Sequence, residues 1–273
     1  YLVQKGFESD TFGVGYCPER VLPGRIIDEF IKNDRIIGGN SEATTRAICQ
    51  FYETFTECAI HQTGAKTAEM CKLTENSFRD VNIAFANELS VLCDLDGIDV
   101  WELIKLANHH PRVNVLSPGT GVGGHCISVD PWFIVAKHPN DARLIKTARQ
   151  VNDAKPNWVI KNILSHAGSM EKSLGRPPTL AIYGLAFKPD IDDLRESPAL
   201  EVARFLNNSN FNIKAVEPNI TDLEGIQLVS FDWAIQNADV HIVLVAHKDF
   251  VTNNNSDLLR MNNALDYCGC LAS

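Results

Sequence analysis

Apolar and polar positions change their period in blocks along this chain. Residues 12–17 predict a short strand that runs into a loop at 18–24, followed by a helix near 25–32. A small strand at Arg35-Ile36-Ile37, closed by Gly38 and Gly39, completes an alternation of α/β style. From about 41 to 110 the period turns helical. Phe78, Val81, Phe85, Leu89 and Leu92 recur at steps of three and four and predict one apolar face on a long helix, long enough to serve as a dimer contact. Lys72, Asn76 and Arg79 form a second stripe along that helix; two cations and an amide in line suit an anion or oxyanion, and equally a solvated face. Pro111 holds the residue before it extended and stops the helix.

Residues 132–153 predict another helix, and Ser169 to Pro178, with Gly175 and two prolines, predicts a linker. The run Leu180 to Leu185 has the unbroken apolar character of a buried parallel strand. A loop follows to Glu196, then a helix capped by Ser197 with Pro198 at its first position. Strands at 212–216 and 240–245 flank a helix near 231–238, which makes a β-α-β-α-β half of a doubly wound sheet. The loop after its first strand is where a nucleotide phosphate is expected, with Lys188 and Arg195 nearby, although it lacks G-x-G-x-x-G.

A length of 273 residues suits two domains, or one and a half with a connector. With 45% hydrophobic and 22% charged residues the composition is that of an ordinary soluble globular protein. A formal charge of −9 argues against nucleic acid as the main partner and leaves an anionic small molecule open if a few cations converge. The eight cysteines make no CxxC pair, and His109 and His110 lack a third ligand at suitable spacing, so no metal is expected. Several cysteines lie in apolar stripes, which implies reduced thiols and a cytoplasmic location; Cys268 and Cys270 are assigned to a terminal strand. No apolar run is long enough to span a membrane, and no leader is visible. The chain opens on Tyr1 in what reads as the middle of a fold, and a fragment is expected.

The densest chemistry lies at 119–131, where four glycines (Gly119, Gly121, Gly123 and Gly124) precede Cys126. Such a loop lets backbone approach a ligand closely, and a thiol on it is a candidate nucleophile. The alternative is a flexible turn with a small buried cysteine.

Five ordered motifs extend this picture: residues 17–24, 72–76, 110–114, 121–126, and Phe187-Lys188-Pro189-Asp190 with Arg195-Glu196-Ser197-Pro198. Together they resemble the UDP-sugar 6-dehydrogenase family, and within it the branch acting on UDP-N-acetyl-D-mannosamine, over nearly the whole chain. UDP-glucose dehydrogenases carry a different glutamate loop and usually Ser where His125 stands. The resemblance implies an α/β fold. Residues 1–52 would be the C-terminal part of an NAD-binding Rossmann domain, 53–168 a central helical dimerisation domain with the cysteine loop, and 169–273 a doubly wound parallel-sheet UDP-binding domain. It places the start of the chain after the glycine-rich fingerprint and its end near a late substrate-binding Arg of the family.

The resemblance also implies NAD as cofactor, a UDP-sugar as substrate and a homodimer. Catalysis would fall to Cys126 as nucleophile, Lys72 in proton transfer and oxyanion support, Asn76 orienting that oxygen or the hydrolytic water, Glu19 activating water, and Asp130 in support. Substrate contacts would come from Arg20, Val21, Lys72, Asn76, Arg79, His110, Arg112 (reaching into the partner subunit's site), Gly123, Phe187 and Lys188, with Arg195 on NAD. Competing readings are a UDP-N-acetylglucosamine or UDP-glucose 6-dehydrogenase and a catalytically inactive UDP-sugar-binding fragment. A cysteine hydrolase using His125 and Cys126 is disfavoured, because adjacent residues in extended chain point opposite ways.

Overall fold

The structure, a computed structural model, describes residue 5 and residues 12–21 and 25–272. Leu22, Pro23 and Gly24 of the first motif lie outside the described residues. The chain divides into two compact units, Tyr1–Asn76 and Ser77–Ser273.

The first unit carries a three-stranded sheet. β1 (Gly15–Tyr16) pairs antiparallel with β2 (Arg35–Gly39), and β2 pairs parallel with β3 (Ile60–Gly64). Between them lie α1 (Ile26–Lys32) and α2 (Glu42–Glu53), the latter capped by the Ser41 hydroxyl accepting from the Thr44 N–H. β1 is shorter than the expected strand. β3 interrupts a stretch expected to be helical, because its residues are mostly exposed and polar and show no apolar alternation. The long helix α3 (Ala65–Asp96) starts in this unit and continues into the next.

In the second unit α3 ends before Gly97 (φ 67°), and Asp99 caps α4 (Val100–Ala107). After an irregular stretch come α5 (Asp130–Lys137) and α6 (Arg143–Leu174). Residues 169–174, expected as linker, are helical. Val159, Ile160, Ile163 and Ala167 keep α6 packed at helical steps, and it stops only at Gly175 in the left-handed conformation. The apolar stripe of α3 is real but faces outward: Phe78 is 68% and Phe85 54% exposed. Its buried face is small and polar, with Ser77, Asp80, Ala84 and Asn87. There Asn152 of α6 donates to Asp80 Oδ1 (2.8 Å), Asn87 donates to Asn152 Oδ1 (2.9 Å), and buried Arg149 pairs with Asp80 (2.5 Å) and Asp153.

The C-terminal sheet is wholly parallel, in the order β6-β5-β4-β7-β8. Its strands are β4 (Thr179–Tyr183), β5 (Asn212–Val216), β6 (Gln227–Leu228), β7 (Val240–Val243) and β8 (Leu265–Asp266), connected through α7 (Pro198–Asn207), α8 (Phe231–Asn237), α9 (Lys248–Val251) and α10 (Asn253–Met261). Alternate residues of β4 serve opposite faces: Leu180 and Ile182 pack with α6 and α7, whereas Ala181 and Tyr183 pack with α8, Phe250 and Leu259. Helices on both faces make the sheet doubly wound, as expected, and its strand order reverses between β4 and β7. Cys268 and Cys270 lie not in a strand but in a turn after β8, whose N–H groups from Cys268 to Leu271 converge on the Asp266 carboxylate.

Candidate active site

In the first unit the loop after β1 and the second turn of α3 meet. Lys72 Nζ donates to the Glu19 carbonyl at 2.8 Å. The Glu19 carboxylate accepts from its neighbour's N–H, at Arg20 (2.8 Å), and from Arg35 Nη1 (3.4 Å). Arg35 is buried, lies 4.1 Å from the centre of the Phe30 ring and donates to the Phe30 carbonyl. A fixed cation therefore tethers a carboxylate that is itself 45% exposed to solvent. Arg20 pairs with Glu75 at 3.1 Å, Val21 is half-buried, and Asn76, one turn beyond Lys72, is buried. Glu19, Arg20 and Lys72 thus form one cluster. Arg35 and Glu75, which complete it, were not singled out in the sequence, where they looked like an ordinary strand start and helix surface.

In the second unit the glycine loop is seated by its lack of side chains. A Cβ on Gly123 would come within 2.3 Å of the Glu196 carbonyl and 3.0 Å of Phe187 Cβ. Gly124, at φ 85°, leaves similar room for the Phe187 ring. Gly119 N–H donates to Asn87 (2.9 Å), and the Thr120 hydroxyl donates to the Leu244 carbonyl (2.9 Å). Cys126 is exposed, and its carbonyl accepts from the N–H of Asp130 at 2.8 Å, which sets the thiol just before α5. Gly123, Phe187 and the cysteine loop are therefore brought together, with Lys188 Nζ 5.8 Å from the Phe187 ring centre.

The loop walls two cavities. One, of about 170 Å³, sits at the carboxyl ends of β4 and β7, lined by Thr120, Gly121, Phe187 and Lys188 among others. A larger one, of about 610 Å³, runs along Val122, Ser128 and Val129 to Asp153, Glu196 and Arg204. Open α/β sheets bind ligands where the strand order reverses, which is the position of the smaller cavity.

In the loop after β4, where a nucleotide phosphate is expected, the N–H groups of Leu185 and Ala186 both donate to Glu217 (2.7 and 3.1 Å), and the Ser197 hydroxyl caps α7, as expected, by accepting from Leu200 N–H. Arg195 is exposed and grips Asp193 through two bonds of 2.9 and 2.7 Å; that guanidinium, with help from the Arg195 N–H, holds the Asp193 carboxyl well below the usual carboxylate range. His125 lies 3.8 Å from the same carboxylate. The helical stripe of Lys72, Asn76 and Arg79 is not one environment, since Asn76 is buried and Arg79 exposed. His110 and Arg112 are exposed, and His110 Nδ1 accepts from the Arg112 N–H (3.3 Å). Among the described residues no cluster of His, Cys, Asp or Glu could hold a metal, and no helix is long and apolar enough to cross a membrane.

Three family models cover most of the chain: the UDP-glucose/GDP-mannose dehydrogenase NAD binding domain at 2–56, central domain at 66–154 and UDP binding domain at 181–271. Among curated relatives, the UDP-N-acetyl-D-mannosamine dehydrogenase of Campylobacter jejuni is 56% identical over 252 residues, covering 89% of this chain and 61% of its own. The NDP-N-acetyl-D-galactosaminuronic acid dehydrogenase of Ralstonia solanacearum is 52% identical, covering 90% and 58%. The solved UDP-D-ManNAc dehydrogenase of Pyrococcus horikoshii superposes with a TM-score of 0.82 at 37% identity, over 95% of this chain and 62% of that one. This chain thus spans about 60% of the length of the relatives it matches.

The first family model implies NAD, and the first unit has a place for part of it. A cavity of about 430 Å³ at the carboxyl ends of β2 and β3 is lined by Gly39, Ser41, Glu42, Thr45, Arg46 and Gly64 among others, and a Cβ on Gly64 would meet only open space. A cation beside bare backbone at that edge fits part of a dinucleotide. With an α/β fold, a doubly wound C-terminal sheet and three successive domain matches, the chain belongs to the UDP-glucose/GDP-mannose dehydrogenase family.

Proposed function

We propose that this chain provides the central and UDP-binding parts of an NAD-dependent 6-dehydrogenase. Its reaction is the oxidation of the C6 alcohol of UDP-N-acetyl-D-mannosamine to the uronate in two steps. The observation that carries this reading is the exposed Cys126 thiol on a glycine loop packed against Phe187, in a chain 56% identical to an enzyme named for that nucleotide sugar. NAD, when bound, takes up the hydride released in each oxidation. Arg46 and the residues beside Gly39 and Gly64 would hold it, with Arg195 contributing once released from Asp193.

The chain's own residues do the remaining work. As the C6 hydroxyl passes its proton through Lys72 to solvent and a hydride leaves C6, an aldehyde forms and Lys72 steadies its oxygen. The Cys126 sulfur then forms a bond to C6 while the thiol proton passes to the aldehyde oxygen, and the resulting thiohemiacetal loses a second hydride and, again through Lys72, its hydroxyl proton to become a thioester. Glu19 takes a proton from water as that water attacks the thioester carbon; the C–S bond breaks and the thiol is restored. Asn76 orients the reacting oxygen, and Asp130 holds the first turn of α5 behind Cys126. Arg20, Val21, Arg79, His110, Arg112, Gly123, Phe187 and Lys188 are the proposed substrate contacts. The outward stripe Phe78, Phe85 and Leu92 is assigned to a second copy of the chain.

The relative named for a galactosaminuronic acid, at 52% identity, keeps a second sugar epimer in view. The test assays the longest polypeptide the gene encodes for NADH formation with UDP-N-acetylmannosamine, UDP-N-acetylglucosamine, UDP-N-acetylgalactosamine and UDP-glucose side by side. Two NADH per sugar, with highest kcat/KM on the first, is expected. Preference for another nucleotide sugar overturns the substrate, and absence of NADH with all four overturns the activity.

A further inference from the structure

The C-terminal end of β4 is held by a buried acid–imidazole pair that no expectation included. The Glu217 side chain is fully buried and that of His247 is 1% exposed. Glu217 Oε2 accepts from Leu185 N–H, Ala186 N–H and His247 Nε2 (3.0 Å), while Oε1 accepts from Asn219 N–H at 3.2 Å. His247 Nδ1 in turn accepts from the Asp190 N–H at 2.9 Å, so Nε2 carries the ring proton that points to Glu217. Asp190, a non-glycine residue at φ 61°, accepts from Lys248 N–H (2.8 Å) and closes the circuit. Burial raises the Glu217 carboxyl, but the His247 and Leu185 bonds outweigh it and leave the group below its ordinary value.

The loop from Gly184 to Asp190 is thus tied at one end to Glu217 and at the other to His247, two side chains bonded to each other, and between the ties it displays Phe187 and Lys188. In a dinucleotide-binding half-sheet the acid ending the second strand reaches the ligand's ribose. Here that carboxylate turns back and occupies the backbone N–H groups at the end of the first strand. We propose that Glu217 and His247 are positioning residues for the substrate, fixing the 184–190 loop in the conformation that presents Phe187 and Lys188. This rests on the reading above that those two residues contact the UDP-sugar.

The experiment compares Glu217→Gln, the gentler surface variant Asp190→Ala, and Lys188→Ala in the longest polypeptide the gene encodes. Steady-state kinetics are paired with amide exchange by mass spectrometry. Losing a charged acceptor whose Oε2 alone serves three donors should raise KM for the UDP-sugar about tenfold or more in Glu217→Gln, with KM for NAD within about twofold of wild type. Exchange should quicken over 184–190 and stay protected in β4, and Asp190→Ala should show the same pattern more weakly. If exchange quickens in both variants and KM for the UDP-sugar stays at the wild-type value, the positioning role is overturned. A rise in both KM values together with lost protection throughout β4 overturns it too, leaving a purely structural pair. Lys188→Ala separates the two ideas: a raised KM there beside an unchanged Glu217→Gln refutes the pair's role alone. An unchanged KM there beside a raised one in Glu217→Gln supports the pair and removes Lys188 from the substrate contacts.

Discussion

Lys155 is a buried cation whose cost can be measured directly. Its ammonium donates to Ser90 Oγ at 2.5 Å and lies 3.9 Å from the centre of the Trp158 ring, and the Asp94 charge offsets part of its burial. Burial lowers the group from its ordinary 10.5 to about 8. Below pH 8 both folded and unfolded chains hold the proton, and the folded state carries the full desolvation penalty. Between pH 8 and 10.5 the unfolded chain still holds a proton that the folded chain has released, so stability rises with pH over that window. Integrating the two titrations from pH 7 to pH 10 gives a gain of about 2–3 kcal/mol. Lys155→Met keeps the stem and removes the titration. It also forfeits the Ser90 bond and the ring contact, each worth about 1 kcal/mol, but the pH difference does not depend on those losses. Urea unfolding followed by tryptophan fluorescence, which Trp101 and Trp158 report beside this site, should show wild type gaining about 2–3 kcal/mol on the variant between pH 7 and 10. A gap that stays constant across that range refutes the reasoning.

Arg149→Met leaves the Asp80 carboxylate buried without its cation and should cost about 3–5 kcal/mol in urea unfolding, whereas breaking the exposed pair of Arg25 and Asp28 should leave the unfolding midpoint unchanged. Gly123→Ala drives a methyl into the Glu196 carbonyl and should destabilise the second unit by about 1–3 kcal/mol, measured by thermal melting, and speed amide exchange in the cysteine loop. Brief iodoacetamide treatment with peptide mapping should label exposed Cys126 first; burial raises the thiols of Cys268 and Cys93 and pushes Cys270 up to about 12, so those should react last.

Much of this was legible in the chain. The apolar run at 180–185 and the Ser197-Pro198 cap announced β4 and α7, because a buried parallel strand and a capped helix start each have their own local signature. Glycine density at 119–124 announced a close backbone approach, expected to be to a ligand, and did not announce that Phe187, more than sixty residues away, would lie against it. The stripe on α3 predicted an apolar face without saying that it would point away from this chain; periodicity reports that a partner is needed and is silent on its identity. Strand β3 escaped because His61 and Gln62 give it the polarity of a loop. Asp80, Arg149 and Asn152 resembled a solvated face, since nothing local reveals that two helices turn their polar sides to each other. The Glu217–His247 pair, thirty positions apart, had one faint signal: an acid ending the second strand of a βαβ unit.

The central claim is that the thiol at 126 becomes covalently joined to C6 of the sugar. The longest polypeptide the gene encodes, carrying Glu19→Gln to slow hydrolysis, should be quenched in acid after mixing with NAD and UDP-N-acetylmannosamine, digested and analysed by mass spectrometry. The peptide containing Cys126 should gain the mass of the thioester-linked nucleotide sugar, and Cys126→Ala should form no uronate. An unmodified Cys126 peptide in the variant, together with normal uronate production by Cys126→Ala, would contradict the account.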